Sequence, residues 1–341
     1  MVLKLWNEIK KQQFAPTYLL YGTEPYLINE TKQLLMEHAL HVSEHDFNLS
    51  VYDLEETPVE VAIEDAETLP FMGERRLIFM NNPVFLTTAK PKEKIEHNLE
   101  RLEAYVKNPA PYSIIVLAGS YEKLDERKKI TKVLKKYGKT LEANKLTEEE
   151  LFSWVKEKTE KSGIHIDDSA IEVFLRRTGT NLFLINSELE KLILYAGKEK
   201  RITVEMVESL TSRSLEQNIF ELIDKIVHRQ IDEALRIYYD LLKQNEEPIK
   251  ILSLLAGQFR LIYQVKELAR RGYGQKQIAG YLKVHPYRVK LAAGQARLFR
   301  DDELVKILRL LANADYQAKT GAMNKEMLIE MFLFRLNEKA I

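Results

Sequence analysis

The turn Gly22-Thr23-Glu24-Pro25-Tyr26-Leu27-Ile28 follows the first apolar β-run, at the place where an α/β nucleotide-binding protein would hold phosphate. Phosphate binding there needs glycine amides to cradle the oxygens, a lysine for the β/γ charge and a hydroxyl for magnesium. That set is missing. Glu24 would repel a triphosphate, and Pro25 lacks an amide that would otherwise bind it. Further on, the run Leu77-Ile78-Phe79-Met80 is followed by Asn81-Asn82, where a Walker B motif would offer an acidic pair. Amides neither act as a base nor bind magnesium strongly. Nucleotide hydrolysis by this chain is not expected, and no catalytic residue or cofactor is assigned to it.

His38, His41 and His45 are spaced by three and four, so on one continuous helix they would share a face and could ligate zinc. The helix is expected to fray before Ser43, and surface histidines need no metal, so no metal site is assigned. With no cysteine in 341 residues there is no disulfide framework, thiolate metal site or cysteine nucleophile, which fits a reducing compartment and a cytoplasmic location. The start MVLKLWNEIKKQQF lacks the apolar core of a signal peptide, and no apolar run approaches the roughly 20 residues that span a bilayer.

The most informative segment is Thr57 to Met72. Thr57, Pro58 and Glu60 supply an N-cap, an N1 proline and an N3 glutamate, which together predict a helix start. Val59, Ala62, Ile63, Ala66 and Leu69 then form one apolar stripe, and Pro70 stops the helix. Leu69, Pro70 and Phe71 are placed to project from the helix tip as a short apolar plug, with Met72 and Gly73 directly behind. A core position is the alternative, because a Leu or Phe at a helix end more often packs inside.

The elements that must position these groups fall into two kinds. Strand candidates at 18–21, 48–52, 76–80, 113–117 and 139–141 alternate with helical stretches over the first 145 residues, the pattern of an α/β domain around a mainly parallel sheet. After Thr147 the β signal nearly disappears. Thr147 and Glu150 form a capping box for a helix carrying Leu151, Trp154 and Val155, and a small bundle follows to Leu210. A polar stretch, 212–217, marks a boundary. Beyond it, apolar residues recur at helical spacing through Ile219, Leu222, Ile223, Ile226, Ile251, Leu252, Leu255, Phe259 and Ile262, with a last helix around Met327, Met331 and Phe334. The expected domains are 1–145, 146–212 and 213–341.

The 51 Lys+Arg balance the 51 Asp+Glu, but not locally. Residues 33–74 hold eleven acids and no Lys or Arg, whereas 250–300 hold eleven Lys/Arg and one acid, Glu267. Such asymmetry points to different partners for the two regions. Within the basic region, 275–289 reads like a helix-turn-helix, with Arg288 and Lys290 opening its second helix. Arg260, Arg270, Arg271, Arg288 and Lys290 are the candidate contacts to DNA phosphate or to an acidic protein surface.

In order and spacing, several stretches resemble the delta subunit of the bacterial DNA polymerase III clamp loader. They are Tyr18-Leu19-Leu20-Tyr21-Gly22-Thr23-Glu24-Pro25-Tyr26-Leu27, Leu69-Pro70-Phe71 before the strand at 75–80, Phe220-Glu221-Leu222-Ile223-Asp224, Glu246-Glu247-Pro248-Ile249-Lys250-Ile251-Leu252 with Gln258-Phe259-Arg260, and Ala318-Lys319-Thr320-Gly321. The resemblance implies an AAA+ fold whose first domain has lost its ATPase motifs, followed by a helical lid and an all-α collar that assembles the loader. Gly179-Thr180-Asn181-Leu182-Phe183 falls where an active lid would carry its sensor arginine, and it has none. The resemblance also implies a subunit that binds the sliding clamp, the beta subunit, through Leu69, Pro70, Phe71 and Met72 and opens its ring. The tau/gamma and delta prime subunits and primed DNA are its implied partners, with no membrane. Two other readings stay open on the residues alone: a divergent AAA+ ATPase acting on DNA, and a helix-turn-helix DNA-binding protein.

Overall fold

The five β-runs of the first 145 residues form one parallel sheet in the order β2-β3-β4-β1-β5. In this computed structural model, which describes residues 2–89, 95–197, 199–321 and 323–337, the strands are β1 (Thr17–Tyr21), β2 (Leu49–Asp53), β3 (Arg76–Asn81), β4 (Ser113–Gly119) and β5 (Lys139–Glu142). Helices α1 (Val2–Lys10), α2 (Pro25–Ala39), α3 (His45–Asn48), α4 (Val59–Glu67), α5 (Leu99–Lys107) and α6 (Lys129–Tyr137) connect them. Parallel pairing demands crossovers, so helices cover both faces and the central strands read as unbroken apolar runs. Every residue of β1 and β4 is buried. Leu19, Ile78, Met80, Ile115 and Leu117 join the apolar stripe of α4 and the inner faces of α5 and α6 in one core. The register places Tyr21 beside Gly119 and Glu142, and Asn81 beside Ala118. The carboxyl ends of these strands therefore meet along one edge, where open α/β sheets bind their ligands.

Residues 1–145 form one unit and 146–341 the other. The second contains α7 (Glu148–Lys161), α8 (Asp168–Thr178), α9 (Leu182–Ala196), α10 (Val204–Leu210), α11 (Leu215–Val227), α12 (Ile231–Lys243), α13 (Pro248–Arg270), α14 (Gln275–Leu282), α15 (Pro286–Ala296), α16 (Asp301–Thr320) and α17 (Lys325–Asn337). The Thr147 capping box opens α7 as expected, with Thr147 and Glu150 bonded reciprocally. A short parallel pair, β6 (His165–Ile166) with β7 (Arg201–Ile202), departs from the all-helical expectation. Strands of two residues are too short to show a period.

Helices α11 to α17 share one core, in which the Phe259 ring lies 5.7 Å from Phe299 and 6.5 Å from Phe332. In α17 the buried face is Leu328, Ile329, Phe332, Leu333 and Leu336, while Met327 and Phe334 are exposed. The helix is apolar on most sides, so periodicity alone does not choose its inner face. Among the described residues no helix is long and apolar enough to cross a membrane.

Candidate functional site

Helix α4 begins at Val59 with Pro58 at its cap and no side-chain capping bond, one step later than the sequence predicts. The Glu60 carboxylate accepts the Asn98 N–H at 3.0 Å instead of closing a capping box with Thr57. Val59, Ala62, Ile63 and Ala66 are fully buried, but Leu69 does not continue their stripe. The helix ends at Glu67, Thr68 turns extended with ψ 136°, and Leu69 leaves the helical face before Pro70 is reached. Leu69, Phe71 and Met72 stand 71%, 55% and 81% exposed, and Pro70 is half-buried. The alternative of a core position is therefore excluded for these side chains within this unit.

The tip is held from behind. The Thr68 hydroxyl donates to Glu64 O at 3.0 Å, Tyr112 Oη to Glu67 O at 2.8 Å and Ser113 Oγ to Ala66 O at 2.6 Å, satisfying the last carbonyls of α4. From α3, the Asn48 amide bonds the backbone of Phe71, and the Phe47 ring lies 5.2 Å from the Phe71 ring. Phe47 is exposed beside the tip. Sequence reading missed Phe47 and Asn48 as site residues, because α3 is four residues long and joins the tip only through tertiary contact.

At the nucleotide position the chain has filled the space with its own atoms. Gly22 has φ 145°, and a Cβ there would lie 2.0 Å from Ala143 O. The Glu24 N–H donates to that same carbonyl at 2.8 Å. The Glu24 carboxylate caps α2 by accepting the Tyr26 N–H at 3.4 Å, with Pro25 as the first helical residue. The helix end that favours an anion thus already has one, and burial pushes the Glu24 carboxyl above its usual range. At the end of β3, Asn81 Oδ1 accepts from Lys32 Nζ at 2.5 Å, and burial lowers the lysine below its usual range. Asn82 Nδ2 donates to Asp53 Oδ2 at 2.9 Å. Gly179 ends α8 with φ 76°, and Asn181 caps α9 through the amides of Phe183 and Leu184.

The three histidines do not share a helix. Helix α2 stops at Ala39, Leu40 is extended, and His41 Nδ1 lies 2.8 Å from Ser43 Oγ. Among the described residues no three His, Cys, Asp or Glu are placed to hold a metal ion.

The helix-turn-helix reading finds both of its helices in the structure. Helices α14 and α15 exist, joined through Lys283 in the left-handed region at φ 54°. His285 caps α15 by accepting the Tyr287 N–H on Nδ1, and its Nε2 lies 2.5 Å from Leu146 O. Lys290, on the second helix, is paired with Glu148 of α7 at 2.9 Å. Arg270 is paired with Glu267 at 3.0 Å and Asp301 at 3.4 Å. Arg260, Arg271 and Arg288 are exposed and form no ion pair among the described residues.

Comparison with known proteins returns the same family in the first and last parts of the chain. Residues 18–144 match the family model of the DNA polymerase III delta subunit, residues 147–209 a middle-domain model, and residues 216–336 the model for the C-terminal domain of that same delta subunit. The chain is similar to the DNA polymerase III subunit delta of Bacillus subtilis (strain 168), 51% identical over 342 residues and 99% of each chain. It is 26% identical over 259 residues to the probable DNA polymerase III subunit delta of Aquifex aeolicus (strain VF5), covering 75% of this chain and 72% of that one. The solved structure of the Bacillus subtilis DNA clamp loader delta protein superposes with a TM-score of 0.88 at 51% identity, covering 99% of this chain and all of that one. A likeness at this level, running from the parallel sheet through the last helix bundle, leaves one conclusion: the chain belongs to the DNA polymerase III delta-subunit family.

Proposed function

We propose that this protein is the clamp-loader subunit that grips the sliding clamp and opens its ring for loading onto primed DNA, without hydrolysing ATP itself. The observation that carries the reading is the apolar tip Leu69-Pro70-Phe71-Met72, turned outward from a helix whose own stripe is buried. Seating such a plug in a clamp pocket would bury roughly 200 to 300 Å² of apolar surface, about 5 to 8 kcal/mol before the cost of association. That is enough to anchor. Opening then requires tighter binding to the open ring than to the closed one, because a ligand moves an equilibrium only by its differential affinity.

The nucleotide position supports a lever over a motor: Glu24 caps α2 where phosphate would sit, and Asn81 and Asn82 replace the acidic pair. Under this reading 1–145 is the clamp-binding domain, 146–212 a lid and 213–341 the collar, working in the cytoplasm with the tau/gamma and delta prime subunits. The basic stretch of the collar meets those neighbours or the DNA. Co-purification with the sliding clamp tests the assignment. Leu69→Ala with Phe71→Ala abolishes capture while the unfolding midpoint stays put; undiminished capture by the double variant rejects it.

A further inference from the structure

Asn48 commits its whole side-chain amide to one residue of the tip. Its Oδ1 accepts the Phe71 N–H at 2.7 Å and its Nδ2 donates to the Phe71 carbonyl at 2.8 Å. Only one orientation of the amide satisfies both bonds. The Asn48 side chain is buried, yet the backbone it grips lies beyond the end of α4 in no regular element. The neighbouring residue completes the arrangement. Phe47 sets its exposed ring against Phe71, tilted by 52°, and its carbonyl accepts from Arg76 Nη1 at 3.2 Å. Arg76 in turn is bound to Asp65 of α4. Behind Phe71 the chain turns through Met72 at φ 53°, and a Cβ on Gly73 would lie 3.0 Å from Asn48 Nδ2. The tip is thus gripped from α3 as well as from its own helix.

An apolar plug on a loose loop must be ordered when it binds, and that cost is subtracted from its affinity. We propose that Asn48 is a positioning residue for clamp capture, its buried amide holding Phe71 in the outward conformation, and that Phe47 extends the docking surface into a pair of aromatic rings. The inference rests on the clamp-binding reading above.

Titration of the full chain against the sliding clamp, with wild type, Phe71→Ala, Asn48→Ala and the double variant, tests it. Asn48→Ala weakens binding about tenfold and costs little more in the Phe71→Ala background, where no ring is left to position. N48D supplies a readout that a loss of fold would not give, and it decides the matter even if Asn48→Ala does not fold. An ionised carboxylate there still accepts the Phe71 N–H but repels the Phe71 carbonyl; protonated, it donates to that carbonyl and restores both bonds. Because the position is fully buried, the introduced carboxyl is raised above the roughly 3.9 of free aspartate, so the affinity of N48D relative to wild type at the same pH recovers as pH falls from about 8 to about 5. Glu44 lies with the Asn48 amide against Gly73, His45 is on the same short helix, and Arg76, paired with Asp65, bonds the Phe47 carbonyl; all four are present in both proteins, so the ratio isolates the introduced carboxyl. If Phe71→Ala weakens binding but Asn48→Ala does not, or if the N48D ratio is flat with pH, the positioning role is overturned and the clamp reading stands. If Phe71→Ala binds as wild type, the clamp reading falls and this inference with it.

Discussion

Lys32 Nζ lies 2.5 Å from Asn81 Oδ1, a half-buried ammonium facing a neutral amide at the strand end where an ATPase of this fold would hold acid. Burial holds the Lys32 pKa below its usual range. The unfolded chain therefore binds that proton more readily than the folded one, and the cost of keeping it charged is full below the folded pKa. As pH rises through the lowered folded value toward the roughly 10.4 of unfolded lysine, that cost is relieved. Urea unfolding at intervals from about pH 8 to about pH 10.5 is expected to show the advantage of Lys32→Met over wild type shrinking with pH. An advantage independent of pH would contradict the account.

The same pair predicts the effect of restoring charge. Asn81→Asp gives Lys32 a counter-ion and stabilises the protein by about 1 kcal/mol at neutral pH, measured by the shift in unfolding midpoint. ATP binding does not return with it, since Glu24 still occupies the end of α2.

Gly22 is where the backbone leaves least room. Its φ of 145° disfavours any side chain, and the Cβ of Gly22→Ala would lie 2.0 Å from the Ala143 carbonyl oxygen, a backbone atom with no rotamer to escape into. Destabilisation of more than about 3 kcal/mol is expected in urea unfolding. A change below about 1 kcal/mol would show that the chain just past β5 yields easily here.

The basic residues of 250–300 separate by their partners. Lys290 and Arg270 are already paired with carboxylates, whereas Arg260, Arg271 and Arg288 are not paired among the described residues. If this stretch meets phosphate in the assembled loader, neutralising Arg271 or Arg288 lowers the slope of log affinity against log salt by about 0.9 per contact, and Lys290→Ala leaves it nearly unchanged. Equal slopes for all variants would assign the stretch to protein neighbours.

What the sequence reveals follows the range of the interactions involved. The five strands are legible because buried parallel strands are apolar throughout and Gly or Pro breaks them, and α4 is legible because its stripe is regular. The end of that helix is not: Leu69 fits the stripe by spacing, but the helix stops at Glu67 and the chain turns at Thr68 and carries Leu69 outward. The inner face of α17 is hidden for the opposite reason, since apolar residues on most sides leave the choice to neighbouring helices. Phe47 and Asn48 carry no local signal at all. They reach the tip from 23 or 24 positions away in the sequence, the amide of Asn48 finding Phe71 only once β2 and β3 are paired.

Ring opening by the lone chain tests the whole account most directly. Sliding clamps loaded on closed circular DNA are mixed with the purified protein in the absence of nucleotide, and release of the clamp from the DNA is timed. Wild type accelerates release, Leu69→Ala with Phe71→Ala does not, and adding ATP changes neither rate. Release no faster than that of the clamp by itself, or release that requires ATP bound to this chain, would contradict it.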